Sequence, residues 1–152
     1  MVVNKASCAA LAWLWATMVG SALAQGSMQG SMGGTLTPYA AVPFALDPDV
    51  ACLASALETG APATGPSTVI LKASAGCLVP WHSHTAQEQL IVVSGSVLAE
   101  MTDHPPTLLG PGGFAMMAGR MAHQFTCQGT APCVMFVLFD GAYDIKWGKA
   151  GR

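Results

Sequence analysis

Beyond Pro38 this chain never sustains the 3.6-residue hydrophobic period of an amphipathic helix. It runs as short apolar stretches cut by Gly and Pro, with only 48–57 ambiguous. Stretches 50–57, 68–73, 81–84, 89–94 and 97–101 read as strands, followed by 107–109, 114–117, 121–127, 133–139 and 143–147. Ser94-Gly95-Ser96, Gly110-Pro111-Gly112-Gly113 and Gln128-Gly129-Thr130 supply turns between them. Many short strands at even spacing predict an all-β chain, as a sandwich or a closed barrel. Stretch 133–139 (CVMFVLF) is apolar throughout, which predicts a strand buried on both faces.

The first two dozen residues belong to a different pattern. Lys5 precedes an apolar run over 9–19, and Ala22-Leu23-Ala24 offers the small-x-small pattern that signal peptidase reads. Residues 1–24 are therefore expected to be a signal peptide cut before Gln25, for export to the periplasm or beyond. The alternative, an uncleaved anchor, fits less well because the run is short for a bilayer span. Stretch 25–37, rich in Gly and Ser, is expected to be a flexible tail, since it buries too little to offset its ordering entropy. The domain then spans 38–152, within the 152 residues that suit one domain.

Cleavage also changes the charge and cysteine counts. Six Lys and Arg become five against eight Asp and Glu. No basic stripe remains, so nucleic acid is not an expected partner. Loss of Cys8 leaves Cys52, Cys77, Cys127 and Cys133, an even set that an oxidising compartment would pair. Cys127 and Cys133 flank a turn-rich link between two strands read as an antiparallel pair, within disulfide reach. Cys52–Cys77 is the remaining pairing.

Three of the four histidines carry a possible chemistry. His82 and His84 project from one face of a strand, roughly 6–7 Å apart along the backbone. Glu88 follows after a short step, and His123 lies on a later strand. Isolated histidines in strands are usually satisfied polar residues. Two on one face beside a carboxylate and apolar strands would bury several polar groups without partners, which favours a metal. Imidazole suits zinc, copper, iron and nickel, and a carboxylate also admits manganese. Leu90 and Val92 share Glu88's face, and Met121 and Phe125 share His123's, so these four are expected to line the pocket. Arg120 has the opposite parity and points away, and His104 reads as an exposed turn residue.

The series Gly76, His82-Ser83-His84, Glu88 and Gly95 resembles the first cupin motif at every defined position. A second motif runs from Gly113 to His123, with Met117 where the family has proline, one extra residue before His123, and Cys127 in place of asparagine. The resemblance covers 50–147. It implies a jelly-roll barrel with one divalent transition metal held by His82, His84, Glu88 and His123, and a homodimer paired through its sheets. Cupins serve many functions, so fold alone does not decide this one. An open-sided metal in an apolar pocket implies a metal-dependent, dioxygenase-like oxidoreductase acting on a small organic molecule. The alternative is a non-catalytic module of the envelope that binds metal or a small molecule.

Overall fold

The computed structural model describes residues 33–148. Within them a 3-10 turn, Tyr39–Ala41, precedes eleven strands. These are β1 (Ala45–Leu46), β2 (Leu53–Gly60), β3 (Ser67–Ala73), β4 (Leu78–Ser83), β5 (Glu88–Ser94) and β6 (Ser96–Met101), then β7 (Thr107–Leu109), β8 (Phe114–Met117), β9 (His123–Gln128), β10 (Cys133–Phe139) and β11 (Lys146–Trp147). All pairings are antiparallel. One sheet runs β1-β2-β3-β10-β5-β8 and the other β11-β4-β9-β6-β7. The all-β expectation holds. Among the described residues no helix is long and apolar enough to cross a membrane.

Alternation along each strand builds the core between the sheets. Leu90 and Val92 of β5 meet Val97 of β6, Phe125 of β9 and Met135 and Val137 of β10 in one buried cluster. Strand β10 is covered on its second face as well, where Val134 packs with Ile70 and Ala56 beneath Val42 and Phe44. Segment 42–44 is what the apolar outer face of CVMFVLF needed.

Several strand ends differ from expectation, each for a local reason. The strand expected at 50–57 begins at Leu53, because Asp47 Oδ1 accepts the amides of Asp49 and Val50 and turns the chain there. The one expected at 121–127 begins at His123, because Met121 donates its amide to Ala118 O and Arg120 adopts φ 69°. Strand 143–147 shrinks to Lys146–Trp147, because Tyr143 donates its amide to Pro62 O and the Asp144 carboxylate is taken up by Thr85.

Both expected disulfides form, with Cα atoms 5.5 Å apart for Cys52–Cys77 and 5.7 Å apart for Cys127–Cys133. The second does not link an antiparallel pair, contrary to expectation. Strands β9 and β10 do not pair but lie in different sheets, so Cys127–Cys133 ties one sheet to the other. The expected signal peptide, and the tail as far as residue 32, lie outside the described residues.

Candidate metal centre

Strand β4 delivers His82, and His84 follows one residue past its end. Glu88 opens β5 and His123 opens β9, so the ends of three strands meet at one end of the barrel. His82 and His123 are direct cross-strand partners. The ladder between β4 and β9 shifts register between Val79 and His82, and such a bulge re-aims side chains without ending the pairing. Two close approaches fix the loop that carries His84. Arg120 donates its amide to His84 O, and a Cβ on Gly119 would lie 2.5 Å from Thr85 O, so only glycine fits there. From the other side Asp144 accepts the Thr85 amide and hydroxyl at 2.6 and 2.7 Å.

Each imidazole is oriented by its Nδ1. His82 donates to Pro80 O at 2.7 Å, His123 to Met121 O at 2.9 Å, and His84 to Asp144 O. A carbonyl only accepts, so Nδ1 carries a hydrogen, and each ring when neutral presents Nε2 as a lone pair. Ligand atoms from His82, His84, Glu88 and His123 lie within 4.8 Å of one another, all four residues being buried. Glu88 Oε2 stands 3.1 Å from His84 Nε2 and 3.1 Å from His123 Nε2. Yet Glu88 Oε2 and His123 Nε2 make no hydrogen bond, which is what two facing acceptors should show. Buried acceptors converging on one point are costly when unpaired, and these four residues could hold a metal ion between them.

The ionisation of these groups follows from that crowding. Burial, and next the neighbouring His123, push His82 down to about 4. Burial opposes ionisation of Glu88, but the imidazoles of His123 and His84 outweigh it and hold the carboxyl at about 2. His84 moves upward, because Glu88 overrides the effect of burial. The cluster thus favours ionised Glu88 and neutral His82, the forms that ligate a metal.

A cavity of about 330 Å³ opens beside the cluster, lined by His82, His84 and Glu88 together with Phe125, Phe139 and Tyr143. Of the four residues expected to line it, only Phe125 does. Leu90 and Val92 are fully buried behind Glu88 and fill the core, because the cavity extends toward β2, β3 and β10 instead. Met121 is half-buried against the core and contributes its carbonyl to His123. His104 and Arg120 are exposed, as expected. Sequence reasoning missed Tyr143 and Asp144. Tyr143 stacks near His84, with ring centroids 5.3 Å apart, and burial pushes its phenol up to about 12.

Residues 69–139 match the family model described as a cupin domain. No curated protein sequence matches the chain. An RmlC-like cupin from Shewanella frigidimarina NCIMB 400 superimposes with a TM-score of 0.60 at 14% identity, covering 72% of this chain and 93% of that one. The fold is the cupin jelly roll. The polyketide cyclase RemF from Streptomyces resistomycificus shares this cupin barrel at a TM-score of 0.66 and 15% identity, over 78% of this chain and 88% of its own. The DMSP lyase DddQ from Ruegeria pomeroyi DSS-3 is 25% identical with a TM-score of 0.54, over 70% of this chain and 55% of its own. This chain therefore spans little more than half the length of that lyase.

Proposed function

We propose that this protein is an exported, metal-dependent oxidoreductase, dioxygenase-like in its chemistry, that acts on a small organic molecule. One observation carries the reading: three imidazole Nε2 atoms and a buried carboxylate converge at the end of an apolar cavity large enough for such a molecule. His82, His84, Glu88 and His123 would hold a single divalent iron, manganese, zinc, copper or nickel ion. Bound there, a redox-active ion supplies electron transfer or oxygen chemistry. The protein's part is to keep Glu88 ionised, fix each ring through Nδ1, and exclude water with Phe125 and Phe139. Tyr143, protonated at any physiological pH, offers a hydrogen-bond donor at the wall and no base. Among the described residues the cavity wall presents no Lys, and its carboxylates are Glu88, a candidate ligand, and Asp47, whose Oδ1 is committed to backbone amides. That inventory suits redox chemistry better than reactions needing a positioned base. Export is supported by the two disulfides and by the apolar N-terminal stretch that ends in Ala22-Leu23-Ala24.

The test is metal identity in protein recovered from a bacterial envelope, followed by dioxygen uptake with small organic acids and phenols. Iron, manganese or copper with substrate-dependent uptake supports the proposal. Zinc alone, with no uptake, contradicts it and leaves a binding module.

A further inference from the structure

A second polar feature lies in the same cavity, well away from the metal ligands. Ser67 opens β3, is only 5% exposed, lines the cavity, and its hydroxyl has no hydrogen-bond partner among the described residues. A buried hydroxyl left unpaired costs free energy, so its presence calls for a purpose. Strand register says where it sits. Ser67 is the direct partner of Phe139, and Phe139 is the direct partner of Glu88. Directly opposed residues project from the same face, and all three are buried, so Glu88, Phe139 and Ser67 form one row across the inner face. Two strand spacings put Ser67 about 10 Å from Glu88, with the Phe139 ring as the floor between. Beyond Ser67 the row continues with Gly60, which presents no side chain that could satisfy the hydroxyl.

Resting on the metal-centre reading above, we infer that Ser67 holds the far end of a bifunctional substrate whose near end faces the His82, His84, Glu88 and His123 cluster. The near group is an oxygen able to approach a metal, such as a carboxylate or hydroxyl. The far group is an uncharged hydrogen-bonding group, a hydroxyl, carbonyl or amide. Among the described residues no Lys or Arg lines the cavity to balance a second anion, and Asp47 on the wall would repel one. Between the two ends the molecule is apolar and narrow, since Phe139 and Val69 bound the space.

The experiment uses full-length protein reconstituted with cobalt(II), whose visible spectrum reports a ligand arriving at the metal. Butanoate and pentanoate are titrated against 4-hydroxybutanoate and 5-hydroxypentanoate. At one chain length the hydroxy acid should bind about three- to tenfold more tightly than its parent, the worth of one neutral hydrogen bond. Ser67→Ala should abolish that preference while leaving cobalt content and parent-acid affinity unchanged, and Ser67→Thr should retain it. Without ligand, Ser67→Ala should melt no lower than the unaltered protein, because the hydroxyl it removes is unpaired. A preference that survives Ser67→Ala, no preference at either length, or a marked loss of stability in Ser67→Ala would overturn the inference. Failure to bind cobalt would instead overturn the metal centre itself, and this inference with it.

Discussion

His84 differs from the other two imidazoles in what holds it. His82 and His123 lean on carbonyls two residues back along the chain, whereas His84 leans on Asp144 O, sixty residues on. Asp144 is kept in place by Thr85, whose amide and hydroxyl hold its carboxyl below the usual carboxylate range. Asp144→Ala should therefore weaken metal binding about tenfold, as loss of a ligand's supporting partner does, without removing a ligand. Competition against a chromogenic chelator measures this, and unchanged affinity would show that the latch is ornamental. The ligands also set a pH dependence in protein stripped by chelator. His82 is depressed from 6.5 to about 4 and Glu88 from 4.5 to about 2, so the unfolded chain binds more protons in both windows. Stability from these groups falls as pH drops through them. His84 is raised, so its contribution is complete below 6.5 and is lost as pH climbs through its folded value. Melting temperature of the stripped protein should then peak near pH 6.5 and decline on both sides, more steeply toward acid where Glu88 joins His82. A monotonic rise to pH 9 would contradict these assignments.

The two disulfides join different elements and should differ in worth. Cys127–Cys133 closes a link of separation 6 between the sheets, and Cys52–Cys77 one of separation 25 between the turns before β2 and β4. Loop-closure entropy puts them at about 2 and about 3.5 kcal/mol respectively. Cys127→Ser/Cys133→Ser should melt a few degrees lower, and Cys52→Ser/Cys77→Ser lower still, both keeping their metal. Metal lost with Cys127→Ser alone would mean that β9 is misplaced. Strand ends and loops also mark how far the sequence could be read. His82, His84 and Glu88 were legible because their spacing is local and period-two alternation fixes which side chains share a face. His123 needed the family resemblance, since nothing local links it to β4. The pocket was misjudged: parity places Leu90 and Val92 on the inner face, but whether an inner residue fills the core or borders a void depends on which strands lie opposite. Ser67 and Tyr143 belong to the site only through the β3–β10–β5 register and the return of 140–147 over His84, both products of tertiary pairing.

For the molecule as a whole, the proposed function combines export, oxidised cysteines and a metal centre in one small barrel. Protein recovered from the envelope of a bacterial host should begin at or near Gln25. N-terminal sequencing that reads Met1 on protein retained in the cytoplasm would remove the basis for export. A chain with eight acidic residues against six basic ones, Lys5 included, should show no salt-sensitive affinity for DNA. The central claim is the metal centre, and elemental analysis of the purified protein tests it most directly. About one divalent transition metal per chain is expected, with most of it lost in His82→Ala/His84→Ala and a smaller loss in Glu88→Gln, whose amide oxygen still coordinates. Full metal content in His82→Ala/His84→Ala would contradict the account.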